Sequence, residues 1–122
     1  MFSRPPFFCP NTMKKFLIPV LLLWTASQAA ELSPAEQTAA LALAKESGCL
    51  TCHALNEKVV GPAYSAIAEK YKGQSDAAAS LAQAIQYGSQ GKWGRIPMPA
   101  HASMSMDDIK ILSRWVLTVP KQ

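Results

Sequence analysis

Two thiols three residues apart, with an imidazole directly after the second, occur at Cys49-Leu50-Thr51-Cys52-His53. This spacing attaches a c-type haem, because each thiol can add across one haem vinyl group while the histidine comes to lie under the porphyrin. A ring nitrogen of His53 is then free to bind iron. A chain joined covalently to a large apolar plate has to pack its elements on that plate, which narrows the fold more than any other short feature does. The same C-x-x-C spacing also serves thioredoxin-like redox sites and half of a zinc ribbon, so the surrounding sequence has to choose among them.

Compartment is the first discriminator. Met13-Lys14-Lys15 is followed by the apolar run Phe16 to Trp24 and then by Thr25-Ala26-Ser27-Gln28-Ala29-Ala30, the three-part layout of a secretory signal peptide. The run is well short of the about 20 apolar residues that a spanning helix needs. Ser27 and Ala29 suit cleavage after Ala29, with Ala30 as the other candidate. Residues Met1 to Thr12 read as an extension ahead of a tidier start at Met13. Residues 1–29 are therefore expected to be an N-terminal extension plus a cleaved leader, and residues 30–122 one domain.

Removal of the leader changes the charge and the cysteine count. The whole chain has 12 basic and 8 acidic residues, formally +4. Arg4, Lys14 and Lys15 leave with the leader and no acid precedes Glu31, so nine basic residues face eight acidic ones in the exported part. The basic excess therefore carries no argument for nucleic acid. Cys9 leaves as well. In an oxidising compartment the remaining Cys49 and Cys52 would form a disulfide, a redox site or a haem anchor, and His53 favours the anchor.

Apolar spacing in the exported part is helical. Ser33-Pro34-Ala35-Glu36 reads as a capping box with proline at the first helical position, opening a helix toward Lys45 that Gly48 stops. Pro62 is expected to open a second helix with the face Tyr64, Ile67, Ala68 and Tyr71. A third runs from about Asp76 through Ala78, Leu81 and Ile85 to Gly88. Ser105 caps a fourth, whose stripe Leu112, Trp115, Val116 and Val119 is wide enough to bury against the first. Strand-like alternation is absent, which counts against thioredoxin, whose redox motif needs a neighbouring β-α-β pattern. The expected class is all-α, with four or so helices around one covalent haem.

The long irregular segment from Gly88 to His101 holds a second chemical signal. Ile96-Pro97-Met98-Pro99 stiffens the backbone on both sides of one methionine, because each proline locks its own φ and biases the preceding residue to extended geometry. A thioether is a neutral, soft ligand that suits haem iron opposite a histidine. The alternative is that Met98 fills an irregular gap in the core. Its place in a stiff loop downstream of a haem anchor favours the sixth ligand.

Taken in order, these stretches resemble the small class I bacterial cytochromes c of the c-551 and c-552 type. The resemblance covers essentially all of residues 31–122. It is carried by Gly48 to Ala54 at the anchor, Val60-Gly61-Pro62-Ala63-Tyr64, Gly88-Ser89-Gln90-Gly91-Lys92-Trp93-Gly94, Ile96-Pro97-Met98-Pro99 and Trp115-Val116-Leu117. It implies a helical monomer that carries one haem c through two thioethers and passes single electrons between periplasmic partners. It further implies that the Pro62 carbonyl accepts a hydrogen bond from His53, and that the Trp93 indole points at a haem propionate. Trp115 reads as core. Two departures stand out: His101 replaces an asparagine that the family often places near the methionine sulfur, and Ala84 occupies the position of a basic residue that some members aim at a propionate. Lys92 and Arg95 are the candidates to compensate from the loop.

With His53 and Met98 both on iron no coordination position stays open for a substrate, and metal catalysis requires one. The expected activity is therefore electron transfer without enzymatic turnover. Redox partner proteins would dock transiently, with Lys58, Lys92 and Arg95 on the rim. Nucleic acid and stable membrane insertion are not expected, and the location is the periplasm. Two other functions fit parts of the pattern: a haem enzyme or ligand sensor with a labile sixth ligand, and a thiol-disulfide oxidoreductase using Cys49 and Cys52.

Overall fold

The computed structural model describes residues 31–122; the leader, Cys9 and the cleavage positions at Ala29 and Ala30 lie outside the described residues. Four α-helices follow one another: α1 over Pro34–Glu46, α2 over Tyr64–Tyr71, α3 over Ala77–Tyr87 and α4 over Met106–Val116. A single 3-10 turn, Cys49–Thr51, carries the first part of the Cys-x-x-Cys-His segment. The only β pairing among the described residues is an isolated antiparallel bridge between Ser89 and Met98. The all-α expectation is met.

Local chemistry sets most helix ends. The Ser33 hydroxyl accepts from the Glu36 N–H, the Glu36 carboxylate accepts from the Ser33 N–H at 2.8 Å, and Pro34 occupies the first turn, so α1 starts with the expected capping box. These hydrogen bonds, the backbone one foremost, hold the exposed Glu36 carboxyl below its ordinary pKa. Ser105 caps α4 by accepting from the Asp108 N–H at 3.1 Å. Gly48 and Gly88 adopt positive φ, +76° and +82°, where side-chain-bearing residues are strained, and the helical path ends at both.

Two expectations shift. α2 begins at Tyr64 with Ala63 as its cap, so Pro62 precedes the helix; its backbone is used for a different purpose, described below. α4 ends at Val116, so Val119 lies past the helix; turns closed by the carbonyls of Trp115 and Val116 fold it back, and it is buried nonetheless.

α4 is the hub of the fold, packing against α3, α1 and α2. Ile109 and Ser113 are fully buried, and Ser113 satisfies its hydroxyl on the Lys110 carbonyl. Toward α1, α4 meets the small side chains of Ala40 and Ala44, both at 0% exposure; small residues at a crossing let helix axes come close. Trp115 packs edge-on against Tyr64 of α2 with ring centroids 5.1 Å apart, a favoured aromatic geometry that ties the C-terminal helix to the segment after the anchor.

Candidate haem site

The anchor is a compact turn. The N–H groups of Cys52 and His53 both donate to the Cys49 carbonyl, at 3.2 and 3.0 Å, which curls the chain so that both thiols and the imidazole face one region. Cys49 and Cys52 are half-buried and His53 is buried. Burial raises the Cys49 thiol above its ordinary pKa, while a hydrogen bond with Tyr64 lowers it in part. Burial, with Cys49 close by, likewise pushes the Tyr64 phenol up.

The orientation of His53 is fixed from three sides. Its Nδ1 lies 2.7 Å from the Pro62 carbonyl oxygen, so Nδ1–H donates there and Nε2 keeps its lone pair. Its ring stacks on Tyr64 with centroids 5.1 Å apart and planes within 16°. Gly61 closes the third side: a Cβ there would stand 2.6 Å from the imidazole Cε1, a distance that no real contact tolerates. Gly61 is a site residue that sequence reading passed over. The signal available was its position directly before Pro62.

Met98 is held from the backbone. Its N–H donates to the Ser89 carbonyl at 2.8 Å and its carbonyl accepts from the Ser89 N–H at 3.0 Å, which closes residues 89–98 into a loop with Met98 at its base. Gly88 permits the approach, because a Cβ on it would meet the Met98 carbonyl oxygen at 2.7 Å. The next anchor is the His101 N–H, which donates to the Ile85 carbonyl near the end of α3 at 2.9 Å. Trp93, in the same loop, is half-buried and packs on the core. The Lys70 ammonium of α2 sits 4.3 Å above its ring and donates to the Lys92 carbonyl at 3.3 Å.

These side chains surround two adjoining cavities that open to solvent. Cys52, His53, Met98 and Pro99 border both, as do the apolar Ile67, Leu81 and Ala84. Cys49, Trp115 and His101 line the first alone, whereas Pro62, Lys92 and Trp93 line the second. Arg95 and Lys58 line neither and are exposed. The donor set fits a haem: two thiols for the vinyl groups, an imidazole whose other nitrogen is already satisfied, a soft thioether bordering the same space, and apolar walls for a porphyrin. Ala84 brings no charge to this space, which leaves Lys92 as the cation on its lining.

Comparison with known proteins agrees. Residues 29–120 match the family Cytochrome c, and the chain belongs to that family. It is 53% identical to cytochrome c-551 of Pseudomonas aeruginosa over 76 residues, which is 62% of this chain and 72% of the relative. To cytochrome c-551 of Stutzerimonas stutzeri it is 43% identical over 107 residues, 88% of this chain and 99% of the relative. The crystal structure of wild-type Nitrosomonas europaea cytochrome c552 superposes with a TM-score of 0.63 at 48% identity, covering 65% of this chain and 98% of that one. Membership makes this chain a c-type haem electron carrier with haem c bound covalently.

Proposed function

We propose that the chain is an exported, monomeric carrier of single electrons in the periplasm, with Cys49 and Cys52 forming the thioethers and His53 and Met98 the axial ligands. The haem supplies one-electron chemistry at iron; the chain supplies everything that holds the metal in one environment. His53 binds through Nε2 because the Pro62 carbonyl occupies Nδ1–H, and that hydrogen bond also makes the imidazole a stronger donor. Met98, clamped by Ser89 and flanked by Pro97 and Pro99, presents the opposing sulfur. Two protein ligands that stay in place in both oxidation states keep rearrangement small and leave no position for a substrate, so the chain turns nothing over. Trp93 donates its indole N–H to a propionate. Redox partners meet the chain transiently at a rim that includes Lys58, Lys92 and Arg95, where charge raises encounter rate more than affinity.

The observation that carries this reading is the 2.7 Å contact between His53 Nδ1 and the Pro62 carbonyl, beside a cavity that Met98 also borders. The leader layout supports export, and no helix among the described residues is long and apolar enough to cross a membrane. In the periplasmic fraction the intact mass is expected to equal a chain beginning at Ala30 or Glu31 plus one haem. The oxidised protein is expected to show the weak near-infrared sulfur-to-iron charge-transfer band, and Met98→Ala to abolish it. A mass without haem would refute the covalent anchor, and a band that survives Met98→Ala would refute the ligand assignment. A high-spin oxidised spectrum with ready cyanide binding would favour the ligand sensor.

A further inference from the structure

One metal-ligating side chain beside this site has no task in the proposed function. His101 stands three residues beyond Met98, is half-buried, and borders the first cavity together with His53 and Met98. Both ends of this short stretch are tied down: Met98 through its two hydrogen bonds to Ser89, two residues past the end of α3, and His101 through its N–H to the Ile85 carbonyl within α3. Only Pro99 and Ala100 lie between them, and the proline limits how far the two can swing apart. The His101 imidazole has no hydrogen-bond or ion-pair partner among the described residues, so no polar contact among them has to be broken for it to turn. Every other cysteine, histidine and methionine on this lining is a thioether linkage or an axial ligand in the proposed reading.

We propose that His101 is a reserve axial ligand, which takes the iron position of Met98 when the sulfur is lost from it. The inference rests on the assignment of Met98 as the resident ligand. A neutral thioether is a weak donor to oxidised iron, and an imidazole is a stronger one. Loss of the sulfur without a substitute opens a coordination position, the condition under which a haem reacts with peroxide or binds small ligands. Exchange for His101 keeps six protein and porphyrin donors on the metal. The carrier then persists at a lower potential, since replacing methionine by histidine removes the ligand that raises it.

The test uses the haem-loaded exported protein and reads ligation directly by optical and electron paramagnetic resonance spectra. Wild type is expected to be low-spin with the charge-transfer band. Met98→Ala is expected to lose the band, stay low-spin with a two-imidazole signature, and fall in potential. Met98→Ala combined with His101→Ala is expected to turn high-spin and to bind added imidazole at least about tenfold more tightly than Met98→Ala, the effect of displacing an internal ligand worth about 1.4 kcal/mol. A high-spin Met98→Ala overturns the proposal, and so does a double variant that stays low-spin, because another side chain would then be the substitute. A wild type without the band overturns the Met98 assignment itself, which separates the two failures. If Met98→Ala does not accumulate, mild peroxide on wild type and His101→Ala answers the same question: one oxygen atom passes from peroxide to the methionine sulfur and water leaves. Oxidised wild type should then remain low-spin while oxidised His101→Ala becomes high-spin; identical spectra overturn the proposal.

Discussion

At the level of single residues, the two thiols, the imidazole and the methionine that border one space could be singled out in the sequence because their signals are local. Cys49, Cys52 and His53 announce themselves by spacing, and Met98 by the prolines on either side. Gly61 was not legible, because its requirement comes from a ring eight residues away folding back over it. Gly61→Ala is expected to force His53 off its present plane, since the added Cβ would lie 2.6 Å from the imidazole. The cost should be of the order of 1–3 kcal/mol, the usual range for overpacking, together with a shifted potential as the Nδ1–Pro62 bond lengthens. Chemical denaturation and voltammetry measure both. An unchanged stability and potential would show that the ring has room to give.

Among the helices, the caps followed local rules, whereas the tertiary demands on the backbone did not show in sequence. Pro62 looks like a helix opener but sits one residue before the cap of α2, because its carbonyl is directed at His53. Val119 fits the α4 stripe by spacing yet lies beyond the helix end. The Lys70–Trp93 contact joins positions 23 apart and leaves no periodic trace. Two measurements test the caps. Ser105→Ala should destabilise by about 1 kcal/mol, the usual loss on removing a serine N-cap. Glu36 is lowered in the folded state by the hydrogen bonds it accepts from Ser33, so its contribution is present above the ordinary carboxylate pKa and is lost as pH falls through the lowered folded value. The melting temperature of wild type should therefore drop more steeply with acid than that of Glu36→Gln; parallel curves would remove Glu36 as a source of acid sensitivity.

For the molecule as a whole, two cavities adjoin the helical core of a domain of some 92 residues, a size at which the chain's own core is modest. Ile67 and Leu81 of the core line both of these spaces. Cys49→Ser with Cys52→Ser should accordingly leave a largely unfolded chain, since a group that binds only the native state takes its stabilisation away with it. Near-native helicity and a cooperative melt in this double variant would contradict the expectation.

The paired hydrogen bonds between Ser89 and Met98 make residues 89–98 a closed ring standing on a fixed base. Such a base holds the backbone at the foot, so an exposed side chain on the outer part can change without pulling on it, much as the handle of a cup can be reshaped without moving the wall. Lys92 and Arg95 belong to that outer part, and Met98 to the foot. On the proposed reading, a change of side chain at the tip alters the docking rim without moving the backbone that carries Met98. Charge reversal at Lys92 and Arg95 should slow association with an acidic redox partner and weaken its salt dependence, yet leave the charge-transfer band in place.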